Sequence, residues 1–327
     1  MKKILLFVFI SIFLTFYSCD DSGVIPGYNP PGQINFNITG LKTIDRNIVG
    51  LYNAWLYFDT LTPTIVNLGK FNADANGILV DTNGNSMAFS LGADTDRIDH
   101  LKFCLITIEP PGSPGNIPTG PKLIADSFAV NGPNMTASNL LIDDPNALGS
   151  VGYTLIDNTR NCYYMLHTTT TNSGSCYLGL WFSDTLNNSQ IIPSLTLNTS
   201  DNWIYEAWVI HNLTATPYSM GRFLGGGSVD DDGAGLCAGA DPPIYSTPGQ
   251  EWVISGTCND PPIPNLSNGE YGVFITMQPA YLPPGSPPFY LKVYSQNLID
   301  MTIGCRRNDN VFNNSGILPR GNISISR

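Results

Sequence analysis

Three histidines, His100, His167 and His211, are the first side chains to weigh for proton transfer or metal ligation. None stands in a His-Glu-x-x-His or related ligand spacing. His167 beside Thr168 reads as a structural histidine within a strand. Asp230-Asp231-Asp232-Gly233 is the one dense run of carboxylates. Clustered carboxylates beside a glycine can bind Ca²⁺ through oxygen. The alternating acids and distal Glu of a calcium loop are missing, so a solvated acidic loop is the expectation and no metal is assigned. Glu109 and Glu206 are single acids within apolar segments. A glycosidase needs two converging carboxyl groups. Gln278 stands where the second copy of a repeat would place Glu109, so that position does not do the same acid chemistry twice. Both acids are read as structural, hydrogen-bonded to neighbouring backbone. Ser228 follows Gly225-Gly226-Gly227 but lacks the strand-to-helix context of a nucleophile elbow. The same glycines lack the Lys-Ser/Thr ending of a phosphate loop. No catalytic set and no cofactor follow from these residues.

The seven cysteines carry more information. Lys2 and Lys3 precede an apolar run from Ile4 to Phe16, which ends in Phe16-Tyr17-Ser18-Cys19. That run has the length of a signal-peptide apolar region and is short for a membrane span. Its junction reads as a lipoprotein signal: residues 1–18 are removed and Cys19 is acylated. Two or three acyl chains give stable membrane anchoring where one does not. Asp20-Asp21 directly after Cys19 leaves the membrane and its face open, with the outer membrane or cell surface favoured over other periplasmic placements. The six other cysteines, an even number, fit disulfides in an exported domain. No Cys-x-x-Cys occurs, so zinc and redox readings lack their spacing. Cys162 with Cys176, around a hairpin at 168–174, and Cys237 with Cys258, in one long loop, are the candidate bridges. Cys104 and Cys305 then form a pair or remain free thiols. The alternative is that all six are buried as small apolar side chains.

The elements that must position these groups follow from composition and repetition. Charged residues make up only 13 %, against 32 Gly and 25 Pro. Many turns and little charge point to an all-β extracytoplasmic protein. Apolar residues at 42 % supply a core and exclude a disordered chain. The net charge of −11, with no basic patch, excludes nucleic acid as a partner. Residues 19–32 read as a polar tether. Beyond them the chain repeats itself. Tyr52-Asn53-Ala54-Trp55 matches Tyr205-Glu206-Ala207-Trp208, and Gly69-Lys70-Phe71 matches Gly221-Arg222-Phe223. Ile106-Thr107-Ile108-Glu109-Pro110 matches Ile275-Thr276-Met277-Gln278-Pro279, and a Pro-Pro-Gly-Ser-Pro run follows in each. Three blocks in one order predict two copies of one β unit, at 33–145 and 146–327. Tyr52, Trp55, Tyr205 and Trp208 are the expected core signature, with Gly69 and Gly221 at bulges. The second copy has a longer, disulfide-prone loop holding Cys237, Cys258 and the acidic run. Two tandem β-sandwich units, sharing an extended sheet or not, are the predicted architecture.

These blocks, with the later Pro118-Thr119-Gly120-Pro121, resemble the extracytoplasmic C-terminal domain of anti-sigma-K factors, here duplicated over most of residues 33–295. Cys176-Tyr-Leu-Gly-Leu-Trp-Phe, leading to Tyr205–Trp208, adds to the likeness. The resemblance implies a β-sandwich and leaves the activity open. Ala54 and Ala207 replace a common Gly. The sigma-binding region and transmembrane helix of a full anti-sigma factor are not part of the match, so sequestering a sigma factor is not expected. The expected function is a non-enzymatic lipoprotein for binding, sensing or envelope structure. Its partners would be the membrane, through the lipid, and an envelope protein or glycan. A glycan-binding module or glycan-active enzyme using exposed rings at Tyr281 and Phe289 is the alternative.

Overall fold

A computed structural model describes residues 32–91, 97–132, 134–142, 144–148, 162–167, 173–183, 192–196, 202–226, 230–233, 235, 249–252, 265–299 and 308–326. Cys19, Cys237, Cys258 and Cys305 lie outside them, as do the expected signal peptide and nearly all of the tether. Residues 31–327 form one compact unit.

The fold is all-β and antiparallel. The first sheet orders β4 (Leu79–Val80), β3 (Thr64–Ala73), β2 (Leu51–Phe58), β6 (Leu101–Glu109) and β7 (Lys122–Ser127). A second, eight-stranded sheet begins with β14 (Thr216–Phe223), β13 (Trp203–His211), β17 (Tyr271–Pro279) and β18 (Lys292–Gln296). It continues through β19 (Asn308–Asn313), β10 (Cys162–Leu166), β11 (Gly179–Ser183) and β16 (Gly249–Glu251). A third sheet orders β5 (Phe89–Ser90), β1 (Gln33–Thr39), β20 (Arg320–Ser326), β9 (Asn134–Leu140) and β8 (Ala129–Asn131). β12 (Ile192–Thr196) pairs with β15 (Gly225–Gly226). The α-helix among the described residues, Pro145–Leu148, has four residues.

The repeated blocks fold alike. In each copy the Tyr-x-x-Trp strand pairs with the Gly-Lys/Arg-Phe strand on one side and the Ile-Thr strand on the other. Tyr52 faces Phe71 and Tyr205 faces Phe223 across the first pairing. The register slips just before Trp55 and just before Trp208. Gly69 (φ 124°) and Gly221 (φ 89°) form these bulges, because only glycine enters that region without strain. A second slip falls between Ile106 and Thr107, and again between Ile275 and Thr276.

Strand alternation divides the side chains between two faces. Tyr52, Ala54, Leu56, Ile106 and Ile108 enter a large core shared with Tyr205, Ala207, Val209, Ile275 and Met277 of the second copy. Ile34 and Ile38 of the first strand and Ile323 and Ile325 of the last join the same core. The core is therefore continuous across residue 145, and β1 pairs with β20 along Ile34–Thr39. Trp55 turns to the opposite face, where Leu105, Ala125 and Ala147 cover it.

Candidate functional site

The opposite face of the repeats carries their buried polar residues. In the first copy the Trp55 indole donates to Thr107 Oγ1 at 2.8 Å, and that hydroxyl donates to Glu109 Oε1 at 2.6 Å. Glu109 also accepts from the Thr119 amide at 3.1 Å and the Thr119 hydroxyl at 2.5 Å. In the second copy Trp208 donates to Thr276 Oγ1 at 3.0 Å. The carboxylate now comes from the other strand: Glu206 accepts from Ser219 Oγ at 2.5 Å and Gln278 Nε2 at 2.6 Å. Acid and amide have exchanged strands, Asn53 with Glu109 in one copy and Glu206 with Gln278 in the other. Burial pushes the Glu206 carboxyl above its ordinary range, against the hydrogen bonds from Ser219 and Gln278 that lower it. Both acids are 1 % exposed and well supplied with donors. They hold strands together. The expectation of backbone partners holds for Glu109 through Thr119 and not for Glu206, whose carboxylate partners are side chains.

The residue after each bulge glycine clamps a Pro-rich loop. Lys70 Nζ donates to Ser113 O at 2.7 Å, and Arg222 Nη1 donates to Leu282 O at 3.1 Å. This explains the Gly-Lys/Arg-Phe signature: bulge, clamp, core ring.

Each acid of the run is tied into the fold. Asp231 accepts from the Arg222 amide at 2.7 Å and from Arg222 Nε at 2.9 Å. Asp230 is 7 % exposed and accepts from the Gly249 amide at 2.8 Å. Burial, with Asp232 and Asp231 close by, pushes its carboxyl up to about 8. Asp232 packs over Gly221. The run is thus not the wholly solvated loop expected, since Asp230 is interior. No three His, Cys, Asp or Glu side chains among the described residues could hold a metal. His167 is buried just beyond β10, while His211 meets Thr214 Oγ1 at 2.8 Å and Glu270 at 3.4 Å.

Two sequence expectations are corrected. Phe289 is buried, and the Tyr281 hydroxyl donates to Val49 O at 2.6 Å with its ring against the core. Neither is an open stacking platform for sugar, because the Pro-rich loop folds its rings inward. The Cys162–Cys176 bridge is also absent: Cys162 is a buried thiol outside any disulfide, its Sγ 3.9 Å from Tyr163 O. The hairpin forms, with Leu166 opposite Leu180 and Tyr163 opposite Ser183. Cys162 sits at its far end, about 13 Å along the strand from Leu166, whereas Cys176 lies in the 3-10 turn at the near end. Cys104 is a second buried thiol outside any disulfide; Cys176 is oxidised, its partner lying outside the described residues. The Cys237–Cys258 pairing lies outside them as well.

An open concave feature lies elsewhere. A groove of about 420 Å³ runs between β1 and residues 77–89. Its far wall begins at Gly77, the last residue of an Asp-x-Asn-Gly turn, and a second such turn at 81–84 lies between the two lining segments. Asp74 accepts from the Asn76 and Ile78 amides at 2.8 Å, and Asp81 accepts from the Asn83 amide at 2.8 Å and the Asn85 amide at 2.9 Å. Those backbone donors hold both carboxyls below their ordinary range. Phe36, Leu79 and Met87 are half-buried along the rim of the core, and Phe36 packs on Phe89 at 4.4 Å between ring centroids. Asn35 and Asn37 are exposed on the other face of β1. No charged side chain lines the groove. Sequence reasoning passed over it because it contains no titratable, nucleophilic or ligating group. The alternation Ile34, Phe36, Ile38 against Asn35, Asn37 marked the strand but not its open edge.

The fold and site define an all-β protein with a duplicated antiparallel unit and an uncharged groove. No family profile matches the chain, and no curated protein or solved structure matches it. Among the described residues, no helix is long and apolar enough to cross a membrane.

Proposed function

We propose that this protein is a lipid-anchored extracytoplasmic binding module without catalytic activity, held to a membrane through Cys19. The duplicated unit, similar in its motifs to anti-sigma-K C-terminal domains, forms the displayed body. The observation that carries the reading is the pairing of an uncharged groove of about 420 Å³ with acids that are turned inward. That volume lies within the range of about 300–1,000 Å³ typical of ligand pockets. General acid–base chemistry needs a titratable side chain within hydrogen-bond reach of a bound substrate. Glu109 and Glu206 are instead engaged by Thr, Ser and Gln partners of the β-sheets. The test is incubation of the purified, detergent-solubilised protein with glycan and peptide libraries. Binding without turnover is the expected result. Turnover that survives repurification would overturn the non-catalytic reading.

A further inference from the structure

Beyond Ile34, one edge of β1 has no partner strand among the described residues. β5 pairs with β1 only at Gln33–Ser90 and Ile34–Phe89. The Leu91 amide donates to Gly32 O at 2.9 Å, which fixes the hydrogen-bonding phase of that pairing. Antiparallel ladders alternate: residues of one parity bond to one neighbour and residues of the other parity to the opposite neighbour. The Gly32 carbonyl and Ile34 therefore face β5, while the Gly32 amide, at φ 78°, donates to Ser326 O at 2.9 Å on the β20 side, and Asn35 and Asn37 face β20. A Cβ on Gly321 of β20 would meet Asn37 O at 2.3 Å, which places that carbonyl on the β20 side. The N–H and C=O of Phe36 and Ile38 then face the groove. The residue that would continue the ladder, Met87, gives its amide to Leu79 O at 3.0 Å instead. Main-chain groups at Phe36 and Ile38 have no partner strand on that side among the described residues. Proteins usually blunt such edges with Lys, Pro or a covering segment. Among the described residues this edge carries none of these and opens into a cavity.

The geometry points to a strand-addition site: an extended polypeptide segment of a partner protein pairs with β1 at Phe36 and Ile38. This deepens the proposed binding function and rests on it. Main-chain pairing supplies the affinity, and alternate side-chain positions supply the selectivity. A peptide residue hydrogen-bonded to Phe36 projects its side chain to the same face as Phe36. There it meets Phe36, Leu79, Met87 and the half-exposed Ile78, so every second residue is apolar. The intervening residues emerge beside Asn35 and Asn37, so they are polar. The lining offers no charge to pair with, and burying an unpaired charge is costly. The segment is therefore uncharged.

The test is residue-resolved hydrogen–deuterium exchange on the full detergent-solubilised protein. In the free protein the Phe36 and Ile38 amides should exchange at least tenfold faster than those of Asn35 and Asn37. The probe is the capped hexapeptide Ac-Thr-Val-Thr-Val-Thr-Val-NH2. It should slow exchange at Phe36 and Ile38 by tenfold or more. A twin N-methylated at its three Val residues should have no effect, since the Val amides are the ones that face β1. Equal protection of all four amides in the free protein would overturn the proposal, because the edge would be closed. Failure of the peptide to protect at millimolar concentration would also overturn it, as would equal protection by the methylated twin. Protection by cellohexaose or chitohexaose with none by the peptide would overturn it in favour of a glycan. Turnover of a library member counts separately, against the non-catalytic reading.

Discussion

Thr107→Val and Thr276→Val remove the same hydroxyl from the two copies, and the structure makes their costs unequal. In the first copy the hydroxyl serves two buried partners: it accepts from Trp55 and donates to Glu109. Its loss strands the Trp55 N–H, which costs about 1–3 kcal/mol, and removes a hydrogen bond to a charged group worth about 1.5–3 kcal/mol. Glu109 keeps Thr119, which holds the sum toward about 3–4 kcal/mol. In the second copy the hydroxyl accepts from Trp208 and donates only to Glu206 O at 3.4 Å, while the Glu206 carboxylate keeps Ser219 and Gln278. That variant should cost about 1–2 kcal/mol. Valine is nearly isosteric with threonine, so cavity effects are small and similar. Equilibrium urea unfolding followed by tryptophan fluorescence gives both values from the shift in midpoint at constant slope. Thr107→Val should be the more damaging by about 1–3 kcal/mol. Equal losses, or a larger loss for Thr276→Val, would refute the claim that the carboxylate has changed strands and taken the hydroxyl's second role with it.

Three further outcomes are expected. The raised Asp230 carboxyl contributes stability that is complete below its unfolded value near 3.8 and is lost as pH climbs through about 8. Asp230→Asn should flatten that decline between pH 4 and 8 in thermal melts, and an unchanged slope would count against a buried, proton-holding Asp230. Gly221→Ala should destabilise more than Gly69→Ala. Both sit at positive φ, but the new Cβ at 221 lies 2.5 Å from Asp232 Oδ1 and 2.8 Å from Asp230 Cβ, whereas at 69 it meets only the flexible end of Met87 at 3.1 Å. A cost within about 0.5 kcal/mol for both in urea unfolding would argue against the two bulges. Cys104 and Cys162 should resist iodoacetamide in the native protein and react after unfolding, since both are buried and burial pushes the Cys104 thiol up. Peptide mapping that found either in a disulfide would contradict the assigned thiols.

What could be read from the sequence was what repetition and strand chemistry encode. The Tyr-x-x-Trp and Gly-Lys/Arg-Phe blocks announced the core strands and their bulges, because an aromatic alternation and a glycine at positive φ each have few structural solutions. β9 was not announced in this way. Asn134-Met-Thr-Ala-Ser-Asn-Leu140 buries only Met135, Ala137 and Leu140, too faint a pattern among Asn and Ser. Tyr177 and Leu178 lie in an aromatic, apolar run yet end a 3-10 turn, with the strand starting only at Gly179. Long-range features were harder still. The pairing of β1 with β20 joins segments nearly 300 residues apart, and no local signal specifies it. The inward turn of Tyr281 and Phe289 depends on the loop fold, not on composition. The groove escaped notice because its chemistry is main-chain hydrogen bonding, which every residue type offers equally.

The anchoring claim has the most direct test. Intact-mass measurement of the native protein, extracted from membranes, should show cleavage before Cys19 and the added mass of a diacylglycerol, with or without a third acyl chain. A chain that begins elsewhere, or an unmodified Cys19 thiol, would contradict a lipid-anchored display module and remove the membrane from the account.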